Sequence, residues 1–171
     1  CNWATGPVGE RNSIIRNKLR VYKTIIRPIV IFASETWTLG INTQKMLKIW
    51  ERKVLRKIYG GKKTEDGWER RTNNELAELY HEPNIVAIVK GQRLRWFGHV
   101  MRMKEERVPK KILESGIGGK RRQGRPRTRW KEDVLKDIAE ANIANWRKKL
   151  KNRKEWQEAI NQAMGQLGLA C

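Results

Sequence analysis

Cysteine is nearly absent from the sequence: Cys1 and Cys171 are the terminal residues, and none lies between them. A disulfide framework and a Cys/His zinc cluster are thereby excluded, the more so with only two histidines, His81 and His99. Cys171 is the last residue rather than the fourth from the end, so it is no prenylation box. Aspartate is scarce as well, with Asp66, Asp133 and Asp137 alone. Two-metal phosphoryl transfer needs carboxylates converging on a metal pair about 3.5–4 Å wide. Asp133 and Asp137 share a helix face beside Lys136, which reads as solvated acids in the first turns of a helix. No phosphate-binding glycine loop is present either, because Gly116-Ile117-Gly118-Gly119 follows no strand. No catalytic residue, metal ligand or cofactor is expected. Apolar runs are short: residues 25–33 are broken by Arg27 and Pro28, far below the roughly 18–20 residues of a membrane helix. The first ten residues lack the basic start and apolar stretch of a secretory signal. They also lack an initiating Met. The chain is expected to be a fragment or truncated product from a reducing compartment, nuclear or cytoplasmic, neither secreted nor in a membrane.

What is abundant is positive charge. Among 171 residues, 38 are Lys or Arg against 18 acids, a formal charge of +20 that calls for a polyanionic partner. Half of that excess lies in residues 91–130. Within them, residues 120–129 (KRRQGRPRTR) carry six basic residues and no acid. Gly116, Gly118, Gly119, Gly124 and Pro126 make this stretch a poor helix, hence a flexible basic linker. Eight Trp and 39% apolar residues argue against full disorder, although the core should be thin.

The apolar spacing is helical, and the fold class expected is all-α. Ile15, Leu19, Tyr22, Ile26 and Ile29 form a stripe over residues 12–36, with Ser13 as N-cap and a kink or restart at Pro28. A buried strand at residues 29–32 is the competing assignment. Thr43 is expected to cap a helix to Tyr59, with Leu47, Trp50, Val54 and Ile58 inward and Gly60-Gly61 ending it. Thr72 and Glu75 form a capping box ahead of Leu76 and Leu79. Pro83 suits the first turn of a longer helix whose inner face is Ile85, Ile88, Val89, Trp96, Val100 and Met103, weakened by Gly91 and Gly98. Thr128 caps a helix through Trp130, Val134 and Ile138, and a last helix runs from about 143 to 164. Asp66-Gly67 is read as a polar loop. The organisation expected is an irregular tail (1–11), a helical thumb-like bundle (12–105), a flexible basic Gly/Arg linker (106–127), a small C-terminal helical pair (128–164) and a tail (165–171).

Candidate contacts to nucleic acid follow from charge and placement. Lys45, Lys48, Arg52 and Arg56 recur at i, i+3, i+7 and i+11, one face of a helix. Lys120, Arg121, Arg122, Arg125, Arg127 and Arg129 crowd the linker, where each phosphate neutralised releases counterions. Arg93 and Arg95 are further candidates, just before Trp96. Gly124-Arg125-Pro126 is like the centre of a minor-groove hook, although Gln123 stands where the hook has Arg. Trp96 and Trp130 are available to stack on bases, but at helical spacing they read first as core residues that turn their arginine neighbours outward. His99 reads as buried and bonded to backbone, and His81 as part of the turn before Pro83.

Five ordered strings carry a resemblance. They are Tyr22-Lys23-Thr24-Ile25-Ile26-Arg27-Pro28, Ser34-Glu35-Thr36-Trp37-Thr38-Leu39, Glu51-Arg52-Lys53-Val54-Leu55-Arg56-Lys57-Ile58, Arg93-Leu94-Arg95-Trp96-Phe97-Gly98-His99-Val100 and Gly124-Arg125-Pro126-Arg127-Thr128-Arg129-Trp130. With Asn145-Trp146-Arg147 and Glu155-Trp156 in the same order, residues 15–164 resemble the C-terminal part of non-LTR retrotransposon endonuclease–reverse transcriptase polyproteins. The resemblance implies a helical thumb beside a template–primer duplex, followed by a basic extension that grips RNA or target DNA. It also implies a missing upstream polymerase domain as partner. The Tyr-X-Asp-Asp metal site of the polymerase palm does not occur in this sequence, so the expectation is a non-catalytic fragment that binds nucleic-acid backbone. Family members often have Tyr-Gly where this chain has Phe32-Ala33. The alternatives are a structural or protein-interaction piece that packs on the missing palm, and a non-functional genomic relic.

Overall fold

Helix dominates residues 8–115, 124 and 129–169, which the computed structural model describes. The order is α1 (Val8–Val21), a π-helical turn (Tyr22–Ile26), α2 (Arg27–Val30), a 3-10 turn (Ser34–Thr36), α3 (Ile41–Tyr59), β1 (Lys62–Thr64), β2 (Gly67–Glu69) and α4 (Asn73–Tyr80), and then α5 (Ile85–Met101), α6 (Val108–Glu114), α7 (Trp130–Glu140), α8 (Trp146–Lys151) and α9 (Arg153–Leu169). The all-α assignment holds. The sheet among the described residues is one antiparallel hairpin, β1–β2, with Thr64 opposite Gly67. Asp66-Gly67 thus closes a hairpin rather than a plain loop. No helix among the described residues is long and apolar enough to cross a membrane.

The break at Pro28 is resolved by a wider turn. The Arg27 N–H bonds back to Tyr22 O, five residues earlier, and Pro28 then sits in the first turn of α2, where a missing N–H is tolerated. Residues 29–32 are helix end and turn, not strand. Ala33 follows in the left-handed region at φ 55°, ψ 20°. That conformation favours glycine, which is the residue the resembling family often has there.

Local chemistry sets some boundaries as expected. Gly60 ends α3 at φ 70°. The capping box of α4 forms, with Thr72 accepting from the Glu75 N–H and Glu75 accepting from the Thr72 N–H at 2.6 Å. Lys62 and then the Thr72 backbone hold the Glu75 carboxyl down at about 2. Other boundaries move. Ser13 lies inside α1, and α3 starts at Ile41 after Gly40, so Thr43 is not its cap. Asn84 caps α5 by accepting from the Ala87 N–H, leaving Pro83 before the cap. The last helix is two, α8 and α9, separated at Asn152. Residues 106–127 contain α6, whose Lys110 is buried. Thr128 lies outside the described residues.

Three apolar clusters make up the core, and two of them run along α5. One cluster joins Tyr22, Leu55, Ile58, Tyr59, Leu76 and Tyr80 between the π turn, α3 and α4. A second joins Ile31, Leu39, Ile85, Val86 and Val89. A third packs Leu94 and Phe97 of α5 against Val134 and Ile138 of α7, Leu150 of α8, and Trp156 and Ile160 of α9. Leu79 is exposed and Tyr80 takes its place inside. Gly91 and Gly98 are sites of close approach: a Cβ at Gly91 would meet Met164 Sδ at 2.4 Å, and one at Gly98 would meet Trp156 Nε1 at 2.2 Å.

Candidate nucleic-acid interface

The basic face of α3 is where the helical period places it. Leu47, Trp50, Val54 and Ile58 pack into the two N-terminal clusters, which turns Lys45, Lys48, Arg52 and Arg56 away from them. Lys45 is exposed and the other three are half-buried. Among the described residues none of the four forms an ion pair with a carboxylate. Arg56 instead donates to Arg71 O at 3.2 Å and to Asn73 Oδ1 at 2.6 Å. Partial burial, and then the charges of Arg70 and Arg52, push its pKa below the ordinary guanidinium value. Three cations therefore gather at the C-terminal end of α3. Arg70 arrives there through the β1–β2 hairpin, so spacing along α3 could not have revealed it.

Arg93 is a correction. It is 0% exposed and presents nothing to a partner. Its guanidinium contacts Asp133 at 2.6 Å and Asp137 at 3.0 Å, while Lys90, also buried, contacts Asp137 at 3.1 Å and pairs with Glu140. Asp133 and Asp137 are thus not solvated acids: they neutralise two cations carried inward by α5. Burial raises the Asp137 pKa, with Arg93 and Lys90 opposing. Burial works against the Lys90 ammonium, but Glu140 and Asp137 outweigh it and hold its pKa above the ordinary lysine value. Asp133 Oδ2 also accepts the Leu39 N–H at 2.8 Å, and the Trp130 indole donates to Glu35 O at 2.8 Å, so α7 clamps residues 35–39. No group of three or more acidic, His or Cys side chains suited to a metal occurs among the described residues.

Arg95 is exposed two residues on. Trp96 is 38% exposed and not a core residue, and His99 is exposed beside it with ring centroids 5.4 Å apart. The reason is angular: α5 is packed by α7 and α9 on the side that carries Lys90, Arg93 and Phe97, which leaves positions 95, 96 and 99 facing out. Trp130 is half-buried against the third cluster. Arg129 is half-buried just before α7, whereas Lys120, Arg121, Arg122, Arg125 and Arg127, and with them the hook-like motif, lie outside the described residues.

A second carboxylate was not legible in the sequence. Glu51 is buried and accepts from Tyr22 Oη at 2.8 Å and from the Ile85 N–H at 2.9 Å, which ties the π turn, α3 and the start of α5 together. Burial raises its pKa, and the Ile85 N–H opposes that. It belongs to the scaffold beneath the basic face.

The chain is 26% identical over 137 residues to an uncharacterized transposon-derived protein of Caenorhabditis elegans. The match covers 77% of this chain and 49% of the nematode protein, so the chain spans about half the length of that relative. The similarity supports a transposon-related origin. No family model matches the chain. No solved structure matches it.

Proposed function

We propose that the chain is the thumb-like and C-terminal part of a non-LTR retrotransposon reverse transcriptase, and that it binds nucleic acid through phosphate contacts without catalysing a reaction itself. The observation that carries this reading is the set of cations that form no carboxylate ion pair among the described residues, Lys45, Lys48, Arg52 and Arg56 on α3, with Arg70 close to Arg56. Arg93 and Lys90, by contrast, are paired inside. Cations crowded against one another gain when a phosphate arrives, and each contact releases counterions. The transposon-derived relative supports the parentage, and the five sequence strings narrow it to a reverse transcriptase. The binding expected is sequence-tolerant, with Kd roughly 10⁻⁴ to 10⁻⁶ M at physiological salt.

A filter-binding titration at several salt concentrations tests this. Kd should weaken steeply as salt rises. The variant Arg121→Gln/Arg122→Gln/Arg125→Gln/Arg127→Gln/Arg129→Gln should bind less tightly and lessen the log–log slope by about 0.9 for each duplex phosphate no longer neutralised. Lys45→Gln/Lys48→Gln/Arg52→Gln should do the same independently. A flat salt response in the wild-type chain rejects the proposal.

A second reading has an observation of its own. Ile29 is 70% exposed and Phe32 81%, a bare apolar surface around α2 that suits packing on an upstream polymerase domain. On that reading the five linker arginines would be irrelevant to the partner.

A further inference from the structure

Between the C-terminal half of α5 and the first turns of α9 lies an open cleft of about 610 Å³, within the roughly 300–1,000 Å³ typical of ligand sites. Trp156 forms its floor. That indole is buried and donates to Leu94 O at 3.0 Å, and Gly98 admits it by lacking a Cβ. The floor is therefore rigid. On the α5 side the exposed Trp96 ring leans on His99 at 5.4 Å and 39°. On the α9 side Arg153 faces Arg102, whose Nη1 is fixed by donating to Leu150 O at 3.0 Å. Burial and then the nearby Arg153 charge push the Arg102 pKa below its ordinary value, a mark of two guanidiniums held close. Arg95 adds a third cation. Glu35 is the lining carboxylate, and it forms no ion pair among the described residues.

An aromatic face next to converging guanidiniums is the chemistry that takes an aromatic anion. Base stacking on an exposed aromatic tolerates any sequence, and arginines supply the backbone contact. A paired duplex keeps its base faces covered and cannot use Trp96. We propose that this cleft receives one nucleotide of a single-stranded nucleic acid, its base stacked on Trp96 and its phosphate held between Arg102 and Arg153. Glu35, opposite, accepts from amino or imino donors on a base edge and keeps the cleft from being a plain anion sink. This rests on the proposed nucleic-acid binding and narrows it to single strands at one site.

The test uses the full chain and fluorescence anisotropy with a labelled oligodeoxythymidylate of about twelve nucleotides, near single-strand site sizes. The same strand with abasic sugars and a blunt duplex of equal length serve as comparisons. Trp96→Ala should weaken the thymidine strand about tenfold, in the range of one missing stack, and leave the abasic strand and the duplex unchanged. Trp96→Phe should retain most of the affinity, which separates stacking from damage to the fold. Arg153→Gln should lessen the salt slope on the thymidine strand by about 0.7. Equal binding of that strand by wild type and Trp96→Ala overturns the inference while leaving phosphate binding in place. Equal losses on the thymidine and abasic strands overturn it too. Displacement of the strand by equimolar thymidine monophosphate would make the cleft a mononucleotide site and overturn the strand assignment. Failure of the wild-type chain to bind strand or duplex removes both this inference and the function it rests on.

Discussion

Arg93 and Arg95 stand two positions apart on α5 and have opposite fates, because the first points at Asp133 and Asp137 while the second points at solvent. Removing one partner of a buried ion pair leaves an uncompensated charge, an effect of about 3–5 kcal/mol. Arg93→Met should therefore lower the melting temperature by roughly 10 °C, since a domain of this size shifts about 2–4 °C per kcal/mol. The double variant Arg93→Met/Asp137→Leu should recover part of the loss, and nucleic-acid affinity per folded molecule should stay unchanged in both. A thermal melt paired with a binding titration checks the two halves of the statement. Ala33 is a smaller lever. Its left-handed backbone (φ 55°) is strained by about 1–2 kcal/mol for a residue with a Cβ. Glycine there gives back about 0.5–1 kcal/mol in unfolded-chain entropy, so Ala33→Gly should still raise the melting temperature by a few degrees in a thermal scan. The sequence could flag this position only through the frequent glycine of the family it resembles; the reason is the turn between α2 and the Ser34–Thr36 segment. Buried charge was not legible at all. A lysine or arginine at positions 90 and 93 looks like surface until the carboxylates of α7, some forty residues later, are placed against it.

At the scale of elements, α5 decides most of the fold, since eleven of its seventeen residues are buried. A helix packed on several sides needs small residues wherever a neighbour comes close, and its two glycines meet different neighbours. Gly98 faces the Trp156 ring, which is hydrogen-bonded and cannot retreat. Gly98→Ala should destabilise by about 1–3 kcal/mol through overpacking, even though alanine favours helix by about 1 kcal/mol. Gly91 faces the end of Met164, a flexible side chain that can swing aside. Gly91→Ala should be close to neutral. Urea denaturation of the two variants, compared at equal m-value, separates these outcomes. The same helix explains which boundaries could be read in advance. The α4 capping box and the Gly60 stop of α3 are local devices, complete within a few residues, and they hold. The start of α3 uses no side-chain cap, and Ser13 lies within α1, so Ser13 and Thr43 do not mark helix starts. A single apolar stripe on α5 would turn Trp96 inward, whereas the helix is covered over a different and wider arc by α7 and α9.

For the molecule as a whole, charge and core are organised differently along the chain. Charge changes abruptly near residues 91–130, which in the sequence alone reads as a division into separate parts. The apolar residues do not respect that division: Leu94 and Phe97 of α5 lie in one cluster with Val134, Ile138, Leu150, Trp156 and Ile160. The buried ion pairs join the same partners, Lys90 and Arg93 on one side with Asp133 and Asp137 on the other. The chain from Arg129 onward thus supplies the countercharge for α5 and the apolar cover of its C-terminal half. A piece ending at residue 115 would expose Leu94, Phe97 and Val100 along with two cations stripped of their acids, and a piece of residues 129–171 would have little core of its own. Neither should melt cooperatively alone. Mixed at equal concentration, the two should associate and regain a cooperative transition, because the second piece returns to α5 both its apolar neighbours and its countercharge. Calorimetry on each piece and on the mixture measures this directly. A cooperative transition in residues 1–115 alone, unaltered by the second piece, would show that α7, α8 and α9 ride on the bundle without completing it, and would return the charge boundary to the status of a domain boundary.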